Sequence, residues 1–316
     1  DAPDTLAITS ADFNAMSDDE VKQRMPQLRI LARARPLDKF RMVKLLQEME
    51  HVVAVTGDGT NDAPALKKAD VGLAMGIAGT EVAKEASKIV LLDDSFATIV
   101  KAVHWGRALY ENIQRFIMFQ LTINVSALAI AFLGPFLGVK PPFTVLQLLW
   151  INVIMDTFAA IALCSERPRD GLMRMPPKRR DENILTPSMR INIGTTAAFF
   201  VVVMLALLIG MASLGWFKGG GARSGEFPQL TLRQVSIFFT VYVLFQVWNQ
   251  INCRSLTPQQ SGLRGLHQNL AFLGIAIAII VGQVVIVSFG GKFFETEPLP
   301  LMDWLITGAA TSSVLV

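Results

Sequence analysis

Six long apolar stretches follow one another from residue 116 to the end of the chain, and together they leave few possible folds. Each is close to the roughly 20 residues that an α-helix needs to cross a bilayer. Soluble proteins rarely bury six such helices in succession, and 52% hydrophobic residues is high for an ordinary soluble domain. We therefore predict an all-α helical transmembrane bundle of six spans, at about 116–138, 143–164, 191–217, 234–253, 270–291 and 299–316.

The loop between the second and third predicted spans is strongly basic and sets the orientation. It carries Arg167, Arg169, Arg174, Lys178, Arg179, Arg180 and Arg190. Loops on the other side are poorer in positive charge, with Lys140, Lys218, Arg223 and Lys292. Because cytosolic loops carry the excess of lysine and arginine, we place the basic loop in the cytosol. The segment before the first span then also lies in the cytosol.

Residues 1–97 differ from the rest, because charges are frequent and short apolar runs alternate with helical patterns. The run Val52–Thr56, followed by turn residues, predicts a buried parallel strand. "VGLAMG" and "KIVLLD" predict two more strands, and "PLDKFRMVKLLQEME", "DAPALKKA" and "GTEVAKEAS" predict helices. This alternation is typical of a doubly wound α/β unit. Residues 98–115 contain no strong helix breaker, so we expect a helical stalk into the first span, the alternative being a plain linker.

The loop "TGDGTND" follows the first of these predicted strands, where α/β proteins bind ligands. Asp58 could hold Mg²⁺ through oxygen and leave positions for water and phosphate. Gly57 and Gly59 allow a tight turn. Asn61 and Asp62 begin the next helix, where they could orient groups or, for Asp62, form a plain N-cap. Lys39 could meet phosphate charge as a point cation, or could be a solvated surface residue.

Polar residues inside the predicted spans indicate a second site. Asp156 is the only ionisable residue in the interior of any predicted span, and a carboxylate there is a functional candidate because its burial is costly. Asn152 lies four residues earlier, so both should face one side of the helix and offer oxygens to a hard cation. Asn124 and Gln246 add further oxygens, although a lone amide in a span more often bonds to another helix.

The long motif "TGDGTNDAPALKKADVGLAMG" resembles the hinge motif of P-type ATPases, ion pumps with a haloacid-dehalogenase-like phosphorylation domain. "LDDSFATIVKAVHWGR", "LLWINVIMDTFAAIAL" and "FQVWNQIN" are most similar to the plasma-membrane type of Ca²⁺-ATPase among the type II pumps. The resemblance implies that Asp58 binds Mg²⁺ and that Lys39 contacts the phosphoryl group. It also implies that Asn61 and Asp62 support the phosphorylation site. We expect Thr56 and Gly57 to contribute to the same phosphate-binding loop.

The resemblance also implies a cation site. Asn124, Asn152 and Asp156 match cation-binding positions of Ca²⁺ pumps. Where two-site pumps have a glutamate, a threonine and a further glutamate, this chain has Ala127, Met155 and Gln246. We therefore expect one Ca²⁺ site, completed by a glutamate from the family's fourth membrane helix, which precedes the spans of this chain. Gln246 either joins this site or only packs against it. Because the carboxyl group of Asp156 can take a proton in place of the cation, we also expect H⁺ counter-transport.

The chain departs from the family pattern in what it does not contain. There is no Asp-Lys-Thr-Gly phosphorylation motif, no Thr-Gly-Glu loop and no nucleotide-binding domain. We therefore expect the C-terminal portion of a P-type Ca²⁺-transporting ATPase, exporting Ca²⁺ from the cytosol through an aspartyl phosphate and inactive alone. The alternatives are a pump for Na⁺ or H⁺, and a non-catalytic membrane subunit or remnant.

Cofactors, partners and location follow from the same resemblance. The expected cofactors are Mg²⁺ and ATP, with Ca²⁺ as the transported ion and the nucleotide site mostly outside this chain. The expected partners are membrane lipid and the N-terminal part of the pump, and no nucleic acid. We expect an integral protein of the plasma membrane, or cell membrane, with its phosphorylation domain in the cytosol.

Overall fold

The computed structural model describes residues 6–137, 143–169, 171–178, 181–218, 230–256 and 261–315. Of the loop residues used to orient the chain, Lys140, Arg179, Arg180 and Arg223 lie outside the described residues. The chain divides into two compact units. The first comprises residues 1–106 and 170–183, and the second comprises residues 107–169 and 184–316.

The first unit is built from parallel strands that alternate with helices. Its first half contains β1 Leu6–Thr9, α1 Ser10–Ala15, α2 Asp18–Arg24, β2 Leu28–Ala32 and α3 Pro36–Glu48. Its second half contains β3 Ala54–Gly57, a 3₁₀ turn Thr60–Asp62, α4 Ala63–Lys68, β4 Val71–Met75, α5 Glu81–Ala86 and β5 Ile89–Leu91. β1 pairs with β2, and β3, β4 and β5 form a three-stranded parallel sheet in that order.

The sequence predicted the second half and α3, but it missed the other elements of the first half. The predicted helices correspond to α3, α4 and α5, and the three strands to β3, β4 and β5, with β3 at Ala54–Gly57 rather than Val52–Thr56. β1 and β2 were not predicted, because each is only four or five residues long and partly exposed. The hydrophobic core of the first half lies around the fully buried Phe13 and Leu45.

A single helix, α6 Phe96–Leu133, begins in the first unit and continues into the second. Asp93 caps its start, since its carboxylate accepts hydrogen bonds from the Ser95 amide at 3.1 Å and the Thr98 hydroxyl at 2.6 Å. Its 38 residues include the predicted stalk and most of the first predicted span. Residues 98–115 are helical in the structure, and their role as a mechanical stalk stays a prediction.

The second unit is a helical bundle. After α6 and a 3₁₀ turn at Gly134–Leu137 come α7 Val145–Leu149, a π-helical turn at Trp150–Met155 and α8 Asp156–Cys164. These are followed by α9 Pro187–Ser213, α10 Leu232–Asn252, α11 Leu270–Phe289, α12 Gly291–Phe294 and α13 Leu301–Thr311. Short 3₁₀ turns at Leu172–Arg174 (in the first unit), Leu266–Gln268 and Ser312–Val314 complete the list of elements.

Four helical segments among the described residues are long and apolar enough to cross a membrane. They are Phe96–Phe136, Val145–Cys164, Pro187–Ser213 and Leu270–Phe289. These correspond to the first, second, third and fifth predicted spans. The fourth predicted span forms α10 and the sixth contains the 11-residue α13. The count of six therefore stays a prediction.

α10 is buried on all sides and forms the centre of the second unit. Phe238, Phe239 and Tyr242 are fully buried, and the helix packs against α9, α11 and α13. Polar side chains are buried along it as well, among them Thr240 and Gln246. A helix without a polar exposed face is stable only inside a protein or a membrane.

Candidate functional site

The loop that contains Asp58 lies at the carboxyl edge of the three-stranded sheet, as predicted. β3 ends at Gly57 and Asp58 follows directly, with its backbone carbonyl accepting a hydrogen bond from the Thr80 amide at 2.8 Å. The Asp58 side chain is exposed and forms no hydrogen bond or ion pair with any described residue. A free carboxylate at this edge suits Mg²⁺, which keeps several waters and often binds only one or two protein carboxylates.

Gly57 is required for space rather than for an unusual backbone angle. A Cβ atom on Gly57 would lie 2.4 Å from the Cβ of Asp62. Neither Gly57 nor Gly59 has a positive φ angle. At Gly57 the side chain of Asp62 packs directly on the end of the strand, and the tight turn predicted at both glycines stays a prediction.

Lys39 and Asp62 form an ion pair. Lys39 Nζ lies 2.5 Å from Asp62 Oδ1, and the Gly59 amide donates to Asp62 Oδ2 at 3.2 Å. Burial opposes ionisation of Asp62, but the hydrogen bonds from Lys39 and Gly59 outweigh it and lower the pKa of this carboxyl group. Asp62 is the N-cap residue of α4, but its side chain makes no cap hydrogen bond there and bonds instead to Lys39 and Gly59. Lys39 is likewise no free surface lysine.

Thr56 and Asn61 are both exposed beside this pair. Thr56 lies on β3 and Asn61 in the 3₁₀ turn before α4. Their side chains therefore remain available to a ligand at the edge of the sheet. The structure brings together Lys39, Asp62 and the glycine loop, while the roles assigned to Thr56 and Asn61 stay predictions.

Asp38 holds the helix that carries Lys39, and sequence reasoning missed it. Its buried carboxylate accepts hydrogen bonds from the Ser10 hydroxyl at 2.6 Å, the Asn14 amide at 2.8 Å and the Arg35 backbone amide at 2.8 Å. Burial again opposes ionisation, and these hydrogen bonds lower the pKa of Asp38. The signal was an aspartate at the third position of a helix that begins with proline.

Asp94 supports the neighbouring loop and was also missed. Its carboxylate accepts from the backbone amides of Gly76, Ile77 and Ala78 at 2.6, 3.1 and 2.7 Å. The hydrogen bond from Ala78 contributes most to lowering the pKa of Asp94. Since the loop after β4 leads to Thr80, which bonds to Asp58, Asp94 helps to fix the edge of the sheet. The acidic pair after β5 was the available signal.

In the second unit, Asp156 is buried and hydrogen-bonded to α6. It is 6% exposed, and its Oδ2 accepts a hydrogen bond from Gln120 Nε2 at 2.7 Å. Its other oxygen, Oδ1, is buried without a hydrogen-bond partner among the described residues. A buried carboxylate with an unpaired oxygen is the expected state of a cation ligand, because buried polar atoms otherwise nearly always find partners.

Asn152 does not share the environment of Asp156. Asn152 is exposed, whereas Asp156 is buried. The prediction that both face the same side assumed an α-helix, but Asn152 lies within a π-helical turn, Trp150–Met155, that ends directly before Asp156. Its wider i→i+5 bonding changes the positions of successive side chains, and such turns are frequent at functional sites. The side chain of Met155 lies outside the described residues.

Asn124 and Gln246 occupy opposite extremes of burial. Asn124 is exposed on α6, one turn beyond Gln120, and Ala127 is 8% exposed. Gln246 is fully buried on α10, and neither of its amide atoms has a hydrogen-bond partner among the described residues. Gln246 lies one turn beyond Tyr242 on α10. The Tyr242 hydroxyl forms a hydrogen bond with the Ser126 hydroxyl of α6 at 2.9 Å and so joins α10 to α6.

The candidate cation ligands of the second unit are one acid and several amides rather than a cluster of acids. No group of three or more His, Cys, Asp or Glu able to hold a metal occurs within the described ranges. A cation bound at Asp156 would therefore need oxygens from amides, hydroxyls or the backbone. Such mixed oxygen sets are typical of Ca²⁺.

Comparison with known proteins identifies the class to which an α/β unit followed by these apolar helices belongs. Residues 140–316 match the family "Cation transporting ATPase, C-terminus", and residues 40–103 match "haloacid dehalogenase-like hydrolase". The chain belongs to the cation-transporting P-type ATPases and is a homologue of their plasma membrane-type calcium-transporting members.

Three relatives illustrate this similarity. The chain is 43% identical to probable calcium-transporting ATPase 6, plasma membrane-type, of Oryza sativa subsp. japonica, over 96% of this chain and 29% of the relative. It is 46% identical to calcium-transporting ATPase 7, plasma membrane-type, of the same species, over 95% and 28%. It is 41% identical to plasma membrane calcium-transporting ATPase 4 of Homo sapiens, over 96% and 25%. The chain thus spans less than a third of the length of the relatives it matches.

Proposed function

We propose that this chain is the C-terminal part of an ATP-driven pump that exports Ca²⁺ from the cytosol through an aspartyl phosphate. The buried Asp156 carboxylate, with one oxygen free, carries the transport half of this proposal. The names of the relatives support Ca²⁺ as the ion. The nucleophilic aspartate would come from the N-terminal part of the pump, so this chain alone would not be phosphorylated.

The first unit would supply charges around the transferring phosphoryl group. Phosphoryl transfer depends on positioned cations more than on covalent chemistry from the protein. Lys39 is one such cation, and Asp62 holds its ammonium group at 2.5 Å. Asp58 would hold Mg²⁺, which neutralises phosphate charge when bound. Asn61, Thr56 and Gly57 would orient the phosphate and its water at the same edge.

The second unit would supply the transport path. We propose six spans, with α10 as the fourth and the segment containing α13 as the sixth, and with the basic loop and the first unit in the cytosol. α10 would cross the membrane without contacting lipid because it is surrounded by other helices. One Ca²⁺ would bind at Asp156, and Asn124, Asn152 and Gln246 stay the further ligands that the sequence predicts, although Asn124 and Asn152 are exposed in this structure. A proton on Asp156 would replace Ca²⁺ on return.

The cation dependence of phosphorylation tests this function. The full-length protein, in membranes, should form an acid-stable phosphoenzyme from labelled ATP when Ca²⁺ is added and not when only Na⁺ is added or the pH is lowered. Phosphoenzyme that forms without Ca²⁺ and rises with Na⁺ or acid would identify another cation. No phosphoenzyme under any of these conditions would indicate a non-catalytic subunit.

A further inference from the structure

A hydrogen bond joins Gln120 of α6 to Asp156 at the start of α8, and each of the two side chains has one unpaired oxygen. Gln120 Nε2 donates to Asp156 Oδ2 at 2.7 Å, which joins the amide and the carboxylate side by side. The remaining oxygen of each group, Gln120 Oε1 and Asp156 Oδ1, is buried and has no hydrogen-bond partner among the described residues. The pair therefore presents two unpaired acceptors, together with the second N–H of the Gln120 amide.

Other buried amides of this unit also have unpaired atoms, but their surroundings differ. Gln283 bonds to the Thr240 hydroxyl at 3.3 Å, and Gln246 has no partner among the described residues. Of the buried amides with an unpaired oxygen, Gln120 is the one that bonds directly to a carboxylate in the described part of the chain. A carboxylate and an amide oxygen are both hard donors of the kind that bind Ca²⁺.

We propose that Gln120 is a further ligand of the transported cation. Its Oε1 would bind the cation together with Asp156 Oδ1, while its Nε2 holds the carboxylate in place. One divalent cation would then satisfy both unpaired oxygens at once. This inference rests on the proposed function, since it assigns a ligand to the same site.

The position of Gln120 on α6 agrees with this assignment. Gln120 precedes Asn124 by four residues, so the two side chains lie on the same face of α6, one turn apart. Gln120 is partly buried and touches Asp156, whereas Asn124 is exposed. Gln120 is thus the α6 side chain that bonds to the acid.

The test compares Gln120→Met with a matched variant on the same helix in the full-length protein. Methionine keeps the length of the side chain and removes both polar atoms. Gln114→Met is the control, because Gln114 is another glutamine of α6 that is buried and donates to the Ile184 backbone carbonyl at 2.7 Å instead of to Asp156. Ca²⁺-dependent phosphorylation by ATP and Ca²⁺-independent phosphorylation by inorganic phosphate are measured for both variants.

We expect Gln120→Met to raise the Ca²⁺ concentration for half-maximal phosphorylation roughly tenfold or more, a typical cost of a lost partner at a metal site. Phosphorylation by inorganic phosphate should be unchanged, and Gln114→Met should leave the Ca²⁺ dependence unchanged. A wild-type Ca²⁺ dependence in Gln120→Met, or an equal shift in both variants, would overturn the proposal.

Two further variants keep the result decisive. If Gln120→Met cannot be phosphorylated even by inorganic phosphate, Gln120→Asn replaces it, since asparagine keeps the amide and withdraws it by one methylene. The same shift is then expected, and its absence overturns the proposal. Asp156→Asn distinguishes a failure of the proposed function from a failure of the Gln120 proposal. If Asp156→Asn retains Ca²⁺-dependent phosphorylation, the proposed function fails. If Asp156→Asn loses this phosphorylation while the Gln120 variant keeps a wild-type Ca²⁺ dependence, only the role of Gln120 is contradicted.

Discussion

Asp62 lies at the centre of the contacts that shape the candidate phosphoryl site. It packs on Gly57, forms an ion pair with Lys39 and accepts a hydrogen bond from the Gly59 backbone amide. Each contact depends on the position of a single side chain that is 8% exposed. Changes next to Asp62 should therefore disturb Lys39 as well.

Gly57→Ala should be harmful, and Gly59→Ala should be tolerated. The new Cβ at position 57 would lie 2.4 Å from Asp62 Cβ, whereas at position 59 the nearest atom would be 3.7 Å away. Overpacking of this kind costs about 1–3 kcal/mol. We expect Gly57→Ala to lower the melting temperature and the rate of phosphorylation by ATP in the full-length protein. Equal effects of the two substitutions would show that space beside Asp62 is not the reason for Gly57.

Asp58→Asn should abolish ATP turnover and leave Ca²⁺ binding nearly intact. The exposed Asp58 carboxylate lies at the sheet edge of the first unit, while the proposed Ca²⁺ ligands belong to the second. ATP hydrolysis and binding of radioactive Ca²⁺ are measured in the full-length protein. Asp19→Asn, at another exposed aspartate of the first unit, is the control. Normal turnover in Asp58→Asn would show that the loop was wrongly assigned.

Among the helices, α6 is anchored to its neighbours by a buried ionic network. Glu111 pairs with Arg169 at 2.7 Å and with Arg115 at 3.3 Å, and the side chains of Glu111 and Arg115 are about 10% and 9% exposed. Asn112 of the same turn donates to the Cys164 and Glu166 carbonyls at 3.0 Å. These contacts join α6 to the segment that follows α8.

Glu111→Gln should destabilise the protein strongly. It keeps the shape of the side chain but leaves two arginines without their carboxylate, and breaking a buried pair costs about 3 kcal/mol or more. Thermal unfolding of the full-length protein in detergent would measure this loss. Glu81→Gln is the control, because its pair with Lys84 at 2.9 Å is exposed and should contribute little. A melting temperature unchanged by Glu111→Gln would exclude a stabilising role for the network.

Elements with strong local signals were predictable, and contacts between distant residues were not. The helix after "TGDGTND" and the strand "VGLAMG" follow from turn residues and apolar runs, and both are present as α4 and β4. The Lys39–Asp62 pair joins residues 23 positions apart, and Gln120–Asp156 joins residues 36 apart. No spacing rule within one element reports such contacts. The π-helical turn before Asp156 also has no clear signal in its sequence, "WINVIM".

For the molecule as a whole, the proposed function assigns phosphoryl transfer to the first unit and Ca²⁺ binding through Asp156 to the second. A change at Asp156 should then affect phosphorylation only through the cation. Asp156→Asn removes the charge and keeps the shape of the side chain. It also keeps an oxygen that can accept the hydrogen bond from Gln120.

The most direct test is Ca²⁺-dependent phosphoenzyme formation in the full-length Asp156→Asn protein. We predict no acid-stable phosphoenzyme from labelled ATP at Ca²⁺ concentrations that saturate the wild type. Phosphorylation by inorganic phosphate, which needs no bound Ca²⁺, should be retained and would show that the variant is folded. Wild-type phosphoenzyme levels at wild-type Ca²⁺ concentrations would remove Asp156 from the site and contradict the account.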